Sequence, residues 1–371
     1  MDDALVRLVE QVQTARAAKT LLDIRGGGTK AFYGGEARGD VLDVRPLAGI
    51  SSYEPSELVV TVRGGTPLAE LEAALAEQGQ CLPFEPPRFE PGGKGDGGMP
   101  QGGTVGGMVA AGLSGPARAA AGCVRDYVLG ATLLNGQGEI LSFGGQVMKN
   151  VAGYDVSRVL AGSMGILGVL CEVSLKVLPV PVASCTLRFD HDEAGALAAL
   201  NQWGGQPLPL SASAWWDGTL VVRLSGAAAA VDAARSRLGG EPIAPAMASD
   251  FWLGLRDHQD AYFVRAAQGV QGGAGLWRLS VPQVAPALAL AGETLVEWGG
   301  AQRWLCASLP AAQVRAAAAA VGGHAVLFRA LDKSAGVMAP LSAPLRRIHR
   351  DLKLAFDPDG LFNRGRLYAE H

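Results

Sequence analysis

Glycine limits what this chain can become. It supplies 51 of 371 residues, against an average share of roughly 7%, and 21 of those glycines lie between Gly92 and Gly168. No collagen-like period runs through them. Glycine at that density marks places where backbone must approach another surface closely or turn through conformations that side chains resist. Such a segment suits a long ligand held against bare backbone.

The remaining composition narrows the class. At 371 residues the chain exceeds the size at which a single core stops growing, so more than one folding unit is expected. A net charge of −3 leaves no basic footprint for nucleic acid. No apolar run is long enough to span a membrane, and the acidic start MDDALVRLVEQVQ is unlike a secretory leader. A cytoplasmic protein is expected, with membrane contact at most peripheral and through partners. Cys81, Cys123, Cys171, Cys185 and Cys306 are scattered without a C-x-x-C pair, which speaks against an iron–sulfur cluster or structural zinc bound by this chain alone. No metal site is expected.

Periodicity predicts a helix from Asp3 to Ala18 and short strands at Leu21–Ile24, Val41–Val44 and Leu58–Val62. A helix follows, with Thr66 as N-cap, Pro67 in its first turn and Gly79 as its stop. Strands are expected at Val128–Leu134, Glu139–Phe143 and Leu167–Val177. Residues 1–178 thus form an α+β unit, closed by Pro179-Val180-Pro181. From 183 to 330 the order strand, helix, strand, strand, helix suggests a ferredoxin-like split βαβ pattern, doubled in its fuller form. All seven tryptophans lie between Trp203 and Trp304, where core packing and an interface are both open readings. Residues 331–371 form a helix, a turn and a tail.

Three glycine-lined segments carry the chemistry. Arg25-Gly26-Gly27-Gly28-Thr29-Lys30 directly follows a strand, so backbone N–H groups can converge on an anion between two cations; a tight structural turn is the other reading. Thr104-Val105-Gly106-Gly107 opens a helix of small residues, through Ala110, Gly112, Ser114 and Gly115, and offers a smooth wall for a flat ligand. The glycines Gly162, Gly165 and Gly168 break a helix and feed a buried strand through Ile166 and Val169. A G-x-G-x-x-G match at Gly93–Gly98 follows a proline-rich loop rather than a strand and is read as accidental; no Walker pattern exists. Three such segments, far apart in sequence, imply a long ligand between two halves of one unit. FAD has that length, with a pyrophosphate and a flat ring system.

These segments, with Val124-Arg125-Asp126, resemble the signature of the vanillyl-alcohol-oxidase (PCMH-type) flavoprotein family. More closely, Phe84-Glu85-Pro86-Pro87, Val147–Asp155, Gly322-Gly323-His324-Ala325 and Phe362–Glu370 resemble the FAD-binding subunits of bacterial glycolate oxidases, over essentially the whole chain. The resemblance implies an FAD-binding unit of two α+β subdomains with a ferredoxin-like cap, to which the tail returns. It adds Pro87, Gly122, Val124, Arg125, Asp126 and Asn363 to the FAD contacts. It also implies a complex that oxidises glycolate, and D-lactate as a second small 2-hydroxy acid. The partners would be a larger FAD-binding catalytic subunit and an iron–sulfur subunit. Relatives that attach FAD covalently carry His where this chain has Thr29, so non-covalent FAD is expected. The loop Arg88–Gly103 is longer and more glycine-rich than the resemblance implies, and a flexible surface insertion is favoured over a functional lid.

Oxidising a 2-hydroxy acid needs a cation for the carboxylate and a base for the hydroxyl. His324 as base and Arg329 as carboxylate anchor are the candidates, against a structural histidine and surface salt bridges for Arg329, Arg278 and Arg303. The five histidines, His191, His258, His324, His349 and His371, lack the metal-binding set and the H-x-G-D-G-N stretch of the larger catalytic relatives. An electron-transfer or structural subunit is therefore favoured over a self-sufficient D-2-hydroxyacid dehydrogenase.

Overall fold

The computed structural model describes residues 2–89, 102–145 and 155–370. The glycine match at 93–98, most of the 88–103 loop and most of the 147–155 stretch lie outside the described residues. Helix Asp3–Ala18 has the predicted bounds and buries Leu8, Val12 and Ala15. Strand Leu22–Arg25 follows and pairs in parallel with Asp40–Asp43, a separate two-stranded sheet that presents the first glycine loop.

A five-stranded antiparallel sheet has the order Ile50–Glu54, Val59–Arg63, Val169–Lys176, Val128–Leu134, Ile140–Gly144. Its central strands read as near-continuous valine and leucine because both faces are covered, and Val60, Val62, Leu133, Val173 and Leu175 are fully buried. The edge strand Ile50–Glu54 escaped the periodicity because Ile-Ser-Ser-Tyr-Glu is mostly polar. Thr66 is not the N-cap of the next helix. The helix begins at Leu68 with Pro67 as its cap, and the Thr66 hydroxyl instead donates to Arg63 O (2.8 Å) and accepts from Gly49 N (2.9 Å). A threonine before proline is held extended, and its side chain ties the preceding loop rather than the helix.

Residues 183–329 place eight strands in one antiparallel sheet. Ala183–Asp190, helix Glu193–Gly204, Leu210–Trp216, Thr219–Gly226, helix Ala228–Leu238 and Glu241–Ile243 form a complete split βαβ unit with strand order 4-1-3-2. Gly275–Ser280, Glu293–Glu297, Gln302–Ala307, helix Ala311–Ala320 and His324–Arg329 repeat that order in mirror sequence along the sheet, without a helix in the first crossover. The doubled pattern is real. The two units join edge to edge at Ala214↔Glu297 and Trp215↔Val296. At this seam Glu297 is buried and accepts from Trp304 Nε1 (2.6 Å) and Gln302 Nε2 (2.9 Å). Burial pushes its carboxyl up to about 7. Among the described residues no helix is long and apolar enough to cross a membrane.

The tail closes the structure on its own beginning. Helix Ala343–Phe356 ends at Asp357, whose Oδ2 accepts from Lys353 Nζ (2.6 Å), with both side chains buried. Lys353 also donates to Ile166 O (2.7 Å) and Phe362 O (2.9 Å), while Asp357 accepts from the Leu361 and Phe362 amides. Phe362 then bridges in parallel to Leu22, adding the tail beside the strand that presents the glycine loop. Each ion is thus hydrogen-bonded on several sides, as a buried pair requires. Asp357→Ala should destabilise the protein by about 3–5 kcal/mol because the Lys353 charge stays buried without its partner. Lys353→Met combined with Asp357→Leu should recover much of that loss. Denaturant unfolding of the three proteins measures both effects.

Candidate functional site

The strand Leu22–Arg25 ends at the lip of a cleft of about 880 Å³, open solvent included. Gly26, Gly27 and Gly28 follow in the wall. A Cβ on Gly26 would overlap Thr104 Oγ1, so only glycine lets the first loop lie against the second. Thr104 caps helix Val105–Ala111 by accepting from Gly107 N (3.2 Å). Gly106, Gly107 and Ala110 then leave the helix wall bare. Across the cleft stand Gly165, Gly168 and Val169; Gly165 takes φ +74°, and a Cβ there would also collide with Asn363 Nδ2.

Asn363 sets the distance between the two walls. Its Oδ1 accepts from Ile24 N (2.7 Å) and its Nδ2 donates to Met164 O (2.6 Å), while its own N–H donates to Leu22 O (2.9 Å). Arg366 follows in the same tail. Its buried guanidinium donates to Tyr33 O (2.7 Å) and Ala31 O (3.2 Å), shaping the turn after Lys30. Arg25 pairs with buried Asp23. Among the described residues Lys30 has no ion pair or hydrogen bond at Nζ, and it lies 5.7 Å from the Phe89 ring centre. Burial lowers its ammonium to about 8, partly opposed by the field of Asp257.

Of the expected ligand contacts, Arg25, Gly26, Gly27, Gly28, Thr29, Lys30, Thr104, Gly106, Gly107, Ala110, Gly165, Gly168, Val169 and Asn363 border this one cleft. The others stand behind or beside it. Val105, Val124 and Ile166 are core residues, and Pro87 is buried. Gly112 packs on Gly162, and Ser114 Oγ accepts from Val124 N (3.3 Å). Gly115 O accepts from Trp298 Nε1 (3.0 Å), a tie to the eight-stranded sheet. Gly122 turns at φ +93°, Asp126 accepts from Cys123 N (2.8 Å), and Arg125 is exposed. Arg366, Asp23 and Met164 also line the cleft and were not expected there. The Phe362–Glu370 stretch contains Arg366, but an arginine in an irregular tail carries no positional signal.

The two residues proposed for chemistry are not neighbours. His324 and Arg329 begin and end one strand, about 16 Å apart at ~3.3 Å per residue. His324 is exposed, whereas Arg329 lies half-buried with its guanidinium 3.5 Å from the Phe32 ring centre. Arg303 is buried and donates to Gly300 O (2.8 Å) and Ala285 O (2.9 Å), so it is structural. Arg278 donates to Tyr33 Oη (3.1 Å). Sequence reasoning passed over His258, which sits in an aromatic box: stacked on Phe263 at 3.6 Å between ring centres, with Phe89 and Trp304 each at 4.9 Å. Among the described residues its buried Nδ1 has no partner. Burial, with the nearby Arg329 and Arg278 charges, holds its pKa well below the usual value, so the ring is neutral. Among the described residues no group of three or more His, Cys, Asp or Glu could hold a metal ion.

Residues 7–144 match the family model described as an FAD binding domain. The chain is 48% identical over 363 residues to the glycolate oxidase subunit GlcE of Escherichia coli K12, covering 98% of this chain and 97% of that protein. It is 30% identical over 167 residues to a D-lactate dehydrogenase of Anaerostipes hadrus, covering 45% of this chain and 32% of that protein. Among solved structures, an alkyldihydroxyacetonephosphate synthase superimposes with a TM-score of 0.65 at 15% identity, covering 96% of this chain and 75% of that one, a likeness of fold.

Because Lys30 titrates near 8, an anionic ligand in the cleft should bind less tightly as the pH rises through that value. The sign for stability is opposite. The folded-state pKa lies below the ordinary 10.5, so the Lys30 contribution to stability is complete above 10.5 and lost as pH falls through about 8. Ligand titrations on either side of that pH, with Lys30→Met as the pH-insensitive control, check the first effect.

Proposed function

The chain belongs to the family of the glycolate oxidase subunit GlcE, within the PCMH-type FAD-binding flavoproteins, and from that membership we propose that it is the FAD-binding subunit of a glycolate dehydrogenase complex. The carrying observation is the cleft itself: two glycine-lined walls pinned together by Asn363, with Lys30 at the mouth. The cleft fits FAD. The amides of Gly26–Gly28 and the Lys30 ammonium would receive the pyrophosphate, where any side chain would block the approach. Gly106, Gly107, Ala110, Gly165 and Gly168 would face the flat part of the cofactor. When bound, FAD supplies a two-electron acceptor for a hydroxyl-bearing carbon. Thr29 stands where relatives with covalent FAD carry the linking histidine, so the cofactor is held non-covalently.

In this reading the complex oxidises glycolate, and D-lactate as a second substrate, to the 2-oxo acid. Electrons pass to an iron–sulfur partner subunit, and a larger FAD-binding subunit carries the main chemistry. The identity to GlcE over nearly the whole chain supports the complex. The separation of His324 from Arg329 supports a relay or structural part for this subunit, because no base stands beside that arginine on its own strand. A self-sufficient D-2-hydroxyacid dehydrogenase is the second reading, favoured by the match to a D-lactate dehydrogenase over 45% of this chain.

Purified chain should be yellow, and acid precipitation should release all the flavin; colour retained in the pellet would refute the non-covalent assignment. Anaerobic glycolate should leave the flavin of the isolated chain oxidised and bleach it in the assembled complex. Bleaching of the isolated chain would install the second reading.

A further inference from the structure

We propose that Arg278, Arg329 and His258 form a pocket for a small hydroxycarboxylate anion beside the glycine cleft and next to Lys30, with Arg329 taking the carboxylate and His258 the hydroxyl. The proposal rests on the glycolate reading only for the hydroxyl. The anion site stands on the observations below.

Phe89 is the hub. Its ring centre lies 5.7 Å from Lys30 Nζ, 5.5 Å from the Arg329 guanidinium and 4.9 Å from the His258 ring centre. Phe328 joins the same wall, 5.4 Å from His258 and 5.7 Å from the Arg278 guanidinium. Three cations therefore converge on one aromatic wall, from the first glycine loop and from two neighbouring strands of the eight-stranded sheet. None of the three forms a salt bridge among the described residues. The carboxylate whose field reaches Lys30 is Asp257, and it is already engaged. Its oxygens accept from Arg256 Nε (2.8 Å) and Nη2 (2.7 Å) and from the Arg88 amide (2.8 Å). Burial lowers both Lys30 and Arg329, the cost of holding charge in an apolar wall with no counter-ion. Cation–π contact offsets part of that cost, but a planar ring gives no bidentate partner. A carboxylate would supply one.

His258 gives the pocket its second recognition element. It follows helix Pro245–Asp257 in the left-handed region, at φ 58°, which turns the imidazole inward against Phe263. A buried polar nitrogen without a partner is uncommon and calls for a ligand or a strain role. A neutral imidazole is a hydrogen-bond acceptor, the group that a ligand hydroxyl requires. Lys30 borders the nucleotide cleft, so a ligand held here lies at its side. The site serves capture of the hydroxy acid whether this chain or its partner carries out the oxidation.

The test uses the FAD-loaded full chain and isothermal titration with oxalate, which has carboxylates and no hydroxyl, and with glycolate. Oxalate should bind the parent protein, and Arg329→Gln should weaken it by about tenfold or more, the loss of one charge-assisted bidentate contact. Arg329→Lys, which keeps the charge and the aromatic contact, should fall between. His258→Phe, which refills the box, should keep oxalate affinity and weaken glycolate. Absence of oxalate binding by the parent, or equal affinity for oxalate in Arg329→Gln, overturns the anion site; equal glycolate affinity in His258→Phe overturns the hydroxyl contact. Flavin content is read separately in every sample. Loss of FAD with oxalate binding intact would count against the cofactor reading and leave the pocket standing.

Discussion

Everything at the glycine cleft hangs on the buried Lys353–Asp357 pair. Two opposite charges taken out of water stabilise only when their remaining hydrogen-bonding capacity is filled, and here it is filled by backbone. Lys353 takes the Ile166 and Phe362 carbonyls, and Asp357 takes the Leu361 and Phe362 amides. The pair therefore dictates the path of the tail across the body of the protein. Downstream of it Asn363 reaches Ile24 on one wall and Met164 on the other, and Arg366 reaches the turn after Lys30. A loop of three glycines has high conformational entropy when free. The tail supplies external bonds on either side of it, at Ile24 before and at Ala31 and Tyr33 after.

The eight-stranded sheet approaches the cleft through aromatic surface. Trp298 donates to Gly115, and Tyr33, Phe32 and Phe89 from the FAD-binding half meet Phe328 and Arg329 from the sheet. Trp252, Trp277, Trp298 and Trp304 are buried, while Trp216 meets Arg265 at a partly exposed edge. Two ferredoxin-like units sharing one seam give a wide, stiff wall, which suits a surface that must place several cations within one small volume.

What was legible in the chain was local. A glycine run after a short strand, the helix Asp3–Ala18 and the alternation of strand and helix from 183 onward all follow from neighbours a few residues apart, and all appear in the structure. So did the doubled split βαβ order, since each unit repeats the same local grammar. The polar edge strand Ile50–Glu54 and the Thr66 side chain were misread because the deciding partners, Val59–Arg63 and Gly49, act through pairing rather than periodicity.

The sequence alone determined where backbone lies bare, because only glycine lets Gly26 pack as closely as it does on Thr104, and that demand is written in residue type. Tertiary structure decided which charges face the cleft. Arg366 and Lys353 act on residues 333 and 187 positions away, and His258 becomes unusual only when Phe89, Phe263 and Trp304 close around it. Contacts of that separation leave no pattern along the chain, since burial and the local dielectric exist only after the core has formed.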